Sequence, residues 1–157
     1  MTKLEKCRKA MKECVDLQKK VETSLTLTAE QIRNVWSKKF KPFQDELCET
    51  LNSFSAVFSS EEYYDNDIVL CRDGMISLKP NERVYHYVHR LDEYSDKDIV
   101  GIFGRYLANE EVADRFILRC RKLLDRRLSA YLDEAGTMKR EWQECLEEIS
   151  KIQKGEQ

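Results

Sequence analysis

Apolar residues recur at alternating steps of three and four near both ends of this chain, which restricts both segments to amphipathic helices. The first repeat consists of Leu4, Cys7, Met11, Cys14, Gln18, Val21 and Leu25, and the last of Met138, Trp142, Cys145, Ile149 and Ile152. Charged residues fill the remaining faces. The spacing predicts a long helix over residues 3–23 and another after Thr137. It leaves open whether these helices pack on each other or exchange with a second copy.

Capping signals and one proline divide the next part of the chain. Thr28 followed by Gln31 has the spacing of a capping box, which predicts a helix start. Pro42 lies inside the apolar repeat that follows. Because proline lacks the backbone N–H and clashes with the preceding turn, we expect a kink or break near Lys41.

Similar signals bound the helices of the last third. Ser95 with Asp98 predicts a helix start. Asn109 predicts the start of a helix over residues 110–135, and Gly136 its end.

Residues 61–92 change from a helical period to β-rich alternation. The run "DIVLCRDGMISLK" contains Asp73-Gly74, the dipeptide typical of a two-residue hairpin, and "RVYHYVH" supplies a third strand. The predicted fold class is therefore α+β and mostly helical, with long antiparallel amphipathic helices packed on a small three-stranded antiparallel meander. We expect residues 1–157 to form a single domain, with a helical arm over 1–60 and a second helical part over 93–157.

Six cysteines and the lack of long apolar runs bear on the compartment. The cysteines have no CxxC spacing, and five lie at apolar helical positions, where a free thiol acts as a small hydrophobe. No stretch approaches eighteen consecutive apolar residues, and "MTKLEKCRKAM" lacks the apolar core of a signal peptide. These features predict a reducing, cytoplasmic location without a membrane partner.

No catalytic motif is present. The sequence lacks GxSxG, HExxH, Walker and GxGxxG patterns. His86 and His89 would point to opposite faces of a strand, and Cys71 could add only one ligand to His86. We therefore expect a protein that is not an enzyme and has no catalytic residues, metal, cofactor or small-molecule substrate.

The middle of the chain is acidic and rich in tyrosine. Residues 61–111 carry 12 Asp/Glu against 6 Lys/Arg, whereas the segments on either side are mildly basic. Carboxylates interleaved with tyrosines are typical of a contact surface, and they can imitate the phosphates of nucleic acid. The predicted contact residues are Glu61, Glu62, Tyr63, Tyr64, Asp65, Tyr85, Tyr87, His89, Asp92, Tyr94 and Asp96.

The interpretation of this acidic region depends on which face of residues 83–89 is buried. One face of the expected strand carries Val84, His86 and Val88, and the other carries Tyr85, Tyr87 and His89. With the valine face buried, the tyrosines would face solvent. The leading hypothesis is a non-catalytic protein that binds another protein or a protein–nucleic acid complex. A small inhibitor or adaptor encoded by a phage or mobile element would have this character.

Two alternative functions remain open. Arg115, Arg119, Lys122 and Arg126 would form a basic row on one helix face, which could bind nucleic acid. The terminal heptad repeats could instead make a homodimer and a self-associating coiled-coil protein.

Overall fold

The computed structural model describes residues 1–81 and 83–155, and it confirms a mostly helical α+β fold. Its first helices are α1 (Lys3–Val35), a π-helical segment (Trp36–Phe40) and α2 (Lys41–Ser55). The strands are β1 (Tyr63–Asp65), β2 (Ile68–Leu70), β3 (Ile76–Asn81) and β4 (Val84–Tyr87). The rest comprises a 3₁₀ helix (Val88–Glu93), α3 (Asp96–Asp98), a π-helical segment (Ile99–Phe103), α4 (Gly104–Leu107) and α5 (Glu110–Gln153).

The antiparallel meander has four strands in the order β1-β2-β3-β4, one more than expected. The additional strand, β1, lies in the acidic segment that sequence patterning did not assign to the sheet. Asp65 pairs with Ile68, which leaves Asn66 and Asp67 as a two-residue turn. Asn66 has a φ of 55°, a left-handed conformation that asparagine tolerates better than most residues.

The hairpin between β2 and β3 has a longer loop than the predicted two-residue turn. Cys71 N–H donates to the Met75 carbonyl at 2.9 Å, so three residues, 72–74, form the loop. Gly74 adopts a φ of +88°. A Cβ at this position would lie 3.3 Å from Leu51 Cδ1, so both conformation and space favour glycine.

Helix α1 starts at Lys3, as expected, but runs further than expected, to Val35, and the predicted helix start at Thr28 is wrong. The capping box is at Thr2 and Glu5, where Glu5 N–H donates to Thr2 Oγ1 and Thr2 N–H donates to Glu5 Oε2, both at 3.1 Å. Thr28 lies inside the helix. Neither glycine nor proline occurs in residues 3–35, so nothing in the backbone interrupts the helix before Val35.

The expected end of a helix at Gly136 is also wrong, because α5 continues to Gln153. Thr137 Oγ1 donates to the Asp133 carbonyl at 3.3 Å, a bond within the helix and not a cap. A single glycine costs a helix about 1 kcal/mol relative to alanine, too little to end one with good helix formers on both sides. By contrast, Ser95 caps α3, and Asn109 Oδ1 accepts from Val112 N–H at 2.9 Å at the start of α5.

A π-helical segment precedes Pro42, where a kink or break was expected. Lys41 N–H donates to the Trp36 carbonyl, one residue beyond the usual α-helical partner. Pro42 then occupies the second position of α2. The wider turn lies immediately ahead of the residue that cannot donate a helical hydrogen bond.

The chain divides into two compact units. Unit 1 comprises Met1–Phe43 and His86–Ile117, and unit 2 the described residues of Gln44–Tyr85 and Leu118–Gln157. The core of unit 1 includes Ala29, Ile32, Trp36, Phe40, Val88, Leu91, Ile99, Phe103, Leu107 and Phe116. The core of unit 2 includes Leu47, Leu51, Ile68, Val69, Leu70, Ile76, Leu78, Cys120, Leu123 and Tyr131.

A buried glutamine, Gln44, links α2 to the β2–β3 hairpin in unit 2. Gln44 Nε2 donates to the Gly74 carbonyl at 3.0 Å, and Gln44 Oε1 accepts from Ile76 N–H at 2.9 Å. The side-chain amide therefore satisfies backbone groups that would otherwise be buried without partners.

Candidate docking surfaces

The predicted acidic contact residues fall in both units. Unit 2 contains Glu61, Glu62, Tyr63, Tyr64, Asp65 and Tyr85, and unit 1 contains Tyr87, His89, Asp92, Tyr94 and Asp96. β4 ends at Tyr87, so His89 lies in the 3₁₀ helix and not on a strand. Val84 is 43% exposed whereas Val88 is fully buried, so the valines do not form one buried face.

Within unit 2, Glu62 binds two tyrosines, and both tyrosines contact a lysine. Its carboxylate accepts a hydrogen bond from the Tyr64 hydroxyl at 2.5 Å and from the Tyr85 hydroxyl at 3.3 Å. Lys79 Nζ lies 4.8 Å from the centre of the Tyr85 ring and 5.7 Å from that of Tyr64. The hydrogen bond to Glu62 raises the pKa of Tyr64.

The acidic strand β1 pairs with cations of α5. Arg119 Nε donates to Asp65 Oδ2 at 3.0 Å, and Arg119 Nη2 lies 3.5 Å from Asp67 Oδ1. The Arg126 guanidinium lies 5.2 Å from the centre of the Tyr63 ring. Opposite charges that were expected to serve two different surfaces are therefore partly neutralised against each other.

The predicted basic row is engaged at three of its four positions. Arg115 pairs with Glu111 at 3.8 Å, one helical turn away. Arg126 Nη1 donates to the Tyr64 carbonyl at 3.0 Å, and Arg119 is held by its aspartates. Lys122 is exposed. Because paired arginines must give up these contacts to meet phosphates, the row is a weaker candidate for nucleic-acid binding than its spacing indicated.

In unit 1, Arg33 of α1 binds two of the predicted contact carboxylates. Arg33 Nη2 donates to Asp96 Oδ1 at 2.5 Å, and Arg33 Nε lies 3.8 Å from Asp92 Oδ1. Tyr94 packs edge-on against Phe103 with ring centres 5.0 Å apart. Its partial burial raises its pKa. The contacts of Arg33 join residues that are far apart in the sequence of unit 1. Asp92 keeps two thirds of its side chain exposed.

The remaining members of this set lie near the end of β4. The rings of Tyr87 and His89 are 5.5 Å apart, and the Arg90 guanidinium lies 5.6 Å from the Tyr87 ring centre. His86 contacts Tyr94, with ring centres 6.1 Å apart. Cys71 lies in unit 2, where its sulfur is 3.1 Å from Ser77 Oγ.

Arg127 is a core residue that the sequence patterning missed. Its side chain is fully buried, and its Nη2 donates to the Cys71 carbonyl at 2.7 Å and also to the Glu61 carbonyl. Burial lowers its pKa. Leu124 and Leu128, which lie nearby on α5, are only half-buried. Arg127 follows the buried Leu123 at helical spacing, but a charged residue is not expected at a core position.

The N-terminal part of α1 presents an uncovered apolar stripe. The α1 arm, defined as residues 3–28, precedes Ala29, the first buried residue of the helix. Met11 of this arm is 68% exposed, and Leu25 is half-buried. The other apolar members of its repeat are exposed, and they are Leu4, Cys7, Cys14 and Val21.

The C-terminal part of α5 has the same character. The α5 arm, defined as residues 132–153, follows Tyr131, which is the last buried residue in this helix. Trp142 is 65% exposed, although tryptophan is among the largest apolar side chains. Cys145, Ile149 and Ile152 are also exposed, and Met138 is half-buried. The apolar stripe of each arm is therefore largely exposed within its own unit.

A shallow groove in unit 1 continues the stripe of the α1 arm. Its volume is about 340 Å³, and its lining consists of Lys20, Val21, Ser24, Leu25, Thr28 and Val100. Val21, Leu25 and Thr28 follow the same alternating steps as the apolar repeat. The groove therefore lies where a helix packed along the α1 arm would reach the body of unit 1.

Two further observations concern metals and membranes. Among residues 1–81 and 83–155, no three His, Cys, Asp or Glu side chains are grouped so that they could hold a metal ion. In the same part of the chain, no helix has both the length and the apolar character required to cross a bilayer.

Comparison with protein-family models, with curated proteins and with solved structures finds no match to this chain.

Proposed function

We propose that the protein is a non-catalytic protein-binding protein that captures amphipathic helices along its two arms. The observation that carries this proposal is the exposure of both heptad stripes, including Met11 and Trp142. Exposed apolar patches of this extent usually mark interaction sites in proteins that fold as monomers.

The energetics of a lone helix support the same proposal. The α1 arm contains 26 residues, of which Leu25 alone is half-buried and the others are exposed. Isolated helices gain little from their own hydrogen bonds, and most helical stability in proteins comes from packing of the apolar face. A partner helix in the stripe would supply that packing by burying side chains at a and d positions.

Affinity capture from lysate of the cells that encode the chain tests this function. Wild-type protein is immobilised and compared with the stripe variant Met11→Gln/Ile149→Gln. The matched control is Lys9→Gln/Glu147→Gln, which changes residues on the outer faces of the same two helices. We expect the proteins retained by the wild type, further copies of the chain among them, to be lost with the stripe variant and kept with the control.

Two results would contradict the proposal. The first is an identical set of retained proteins for the stripe variant and the wild type. The second is retention of no protein at all, including the chain itself. Circular dichroism of each variant, compared with the wild type, verifies that the cores of both units are folded.

The acidic, tyrosine-bearing surface is a second candidate, with the inhibitor or adaptor role described above. In unit 2 it is favoured by Tyr64, which is 44% exposed while its hydroxyl donates to Glu62, and in unit 1 by Asp92, whose side chain is 66% exposed beside Arg33. In the same capture experiment, Glu61→Lys in unit 2 and Asp92→Lys in unit 1 are separate variants, each of which reverses one exposed carboxylate. Loss of partners with either variant, and not with the stripe variant, would favour the acidic residues of that unit over the arms.

A further inference from the structure

We infer that the helix bound by each arm comes from a second copy of this chain, and that the α1 arm of one copy pairs with the α5 arm of the other. This inference rests on the proposed function, because it names the occupant of the same stripes. The alternatives are pairing of like arms and binding of a different protein.

The charges of the two arms are complementary. The α1 arm carries 7 Lys/Arg and 4 Asp/Glu, and the α5 arm carries 3 Lys/Arg and 6 Asp/Glu. Two α1 arms side by side would bring together two net charges of +3, and two α5 arms two net charges of −3. Pairing of α1 with α5 brings opposite charges together, which favours this combination in the encounter and in the complex.

The residues that border the stripes carry part of this complementarity. Those of the α1 arm include Lys3, Arg8 and Glu22, with a net charge of +1, and those of the α5 arm include Lys139, Glu141 and Glu148, with a net charge of −1. Lys3 and Arg8 lie beside Leu4 and Cys7, at positions that flank the seam of a coiled coil. Glu141 and Glu148 lie immediately before Trp142 and Ile149, one heptad apart. Charges at flanking positions are those that select partners in paired helices.

The lengths of the two arms also match. At 1.5 Å per residue, the α1 arm is about 39 Å long and the α5 arm about 33 Å, a difference of about one turn. Each arm can therefore be covered along nearly its whole stripe by the other. A dimer would contain two such pairs, so both exposed stripes of each copy are buried at once.

Charge reversal with a concentration series tests the pairing. Light scattering or sedimentation equilibrium gives the dimer Kd for wild type, for Lys3→Glu/Arg8→Glu, for Glu141→Lys/Glu148→Lys, and for all four changes together. We expect each double variant to raise Kd roughly tenfold or more, and the fourfold variant to restore it. The matched controls Lys9→Glu/Lys12→Glu and Glu144→Lys/Glu147→Lys make the same net charge changes away from the seam and should raise Kd much less than the corresponding seam variants.

The exposed cysteines provide a second readout of the same pairing. Cys7 and Cys14 lie on the α1 stripe and Cys145 on the α5 stripe. A short bismaleimide is added to a mixture of isotope-labelled and unlabelled chains, and linked peptides are identified by mass. The expected product joins Cys145 of one copy to Cys7 or Cys14 of the other.

The outcomes separate the inference from the proposed function. A Kd that is insensitive to the double variants, with links of Cys7 to Cys7 or Cys145 to Cys145, would overturn the arm assignment. A chain that stays monomeric while Met11→Gln/Ile149→Gln abolishes capture of another protein would overturn the inference and leave the proposed function standing. Monomeric protein with capture unaffected by the stripe variant would overturn both.

Discussion

Helix α5 contains two halves with the same apolar period and opposite environments. In residues 110–131 most of the repeat is buried, with Phe116, Cys120 and Tyr131 among the core residues, although Leu124 and Leu128 are half-buried. In residues 132–153 no residue is buried, and Trp142 and Ile149 face solvent. Helix α1 shows the same contrast in reverse order, because burial begins at Ala29.

This contrast shows that the period of an apolar stripe and the element that covers the stripe are determined separately. The apolar period predicts that the segment is helical and that its apolar side chains lie on one face. It does not decide which element provides the cover. In the first half of α5 the cover is the protein's own core, whereas the stripes of the arms are exposed.

The largest expected effect compares one side chain from each environment. Phe40 is fully buried, with ring centres 5.8 Å from Phe116 and 6.1 Å from Phe43. We expect Phe40→Ala to lower the free energy of unfolding by about 3–5 kcal/mol, because it removes buried surface and leaves a cavity. Met11→Ala in the exposed arm should change it by less than about 0.5 kcal/mol.

Urea denaturation at a concentration where light scattering gives a single chain measures both variants. Working with the monomer keeps any association through the arms out of the comparison. Equal losses for Phe40→Ala and Met11→Ala would mean that the arm is packed within the chain, and the contrast between the two regions would disappear.

A pair of glutamines sharpens the same comparison with polar side chains. Gln44 is buried and exchanges hydrogen bonds with Gly74 and Ile76 of the β2–β3 hairpin. Gln18 lies on the stripe of the α1 arm, where its Nε2 donates to Glu22 at 3.2 Å in an exposed setting. Gln44→Ala should cost about 1–3 kcal/mol, because two backbone groups lose their partner.

Gln18→Ala should leave the free energy of unfolding of the monomer nearly unchanged, since alanine is the better helix former. Both variants remove the same chemical group, so a difference between them reports burial and not side-chain type. A loss of similar size at Gln18 would show that the α1 arm is covered in the monomer.

Local signals in the sequence predicted much of the fold. The apolar periods predicted the helices, the change of period at residue 61 predicted the sheet, and Ser95 and Asn109 act as the expected caps. The predicted helix end at Gly136 was wrong, because a single glycine is tolerated within a helix whose flanking turns are stable. Thr2 and Glu5 have the same capping-box spacing as Thr28 and Gln31, so the spacing alone does not indicate which of the two starts the helix.

The candidate site was harder to predict, because its interactions join residues far apart in the chain. Arg119 and Asp65 are 54 positions apart, and Arg127 and Cys71 are 56 apart. Residue spacing along one helix indicated a free basic row, but it contains no information on the carboxylates that approach from another element. The exposure of the arms could not be predicted either, since an apolar stripe has the same residue spacing in the sequence whether or not another element covers it.

The capping box predicts a smaller, local effect at the start of the α1 arm. Thr2→Ala removes the hydroxyl that accepts from Glu5 N–H, at a cost of about 1 kcal/mol to the first turn. Amide hydrogen exchange over the first turn should then accelerate by about fivefold, while exchange in the core of unit 1 stays unchanged. Thr28→Ala is the control, because Thr28 lies inside the helix and caps nothing. Equal acceleration in the two variants would argue against a cap at Thr2.

The smallest expected effect concerns the ion pairs between β1 and α5. Asp65→Asn keeps the shape of the side chain but removes the charge opposite Arg119, whose partly exposed contacts lie at 3.0 and 3.5 Å from Asp65 and Asp67. Because about a third of each of these side chains is exposed, the loss should be below about 1 kcal/mol and should shrink as salt is added. Glu111→Gln removes the more exposed partner of Arg115 and should have no measurable effect on unfolding by urea. If Asp65→Asn changed the free energy of unfolding at low salt no more than Glu111→Gln does, Arg119 would be available to other ligands. The basic row would then again be a candidate for phosphate binding.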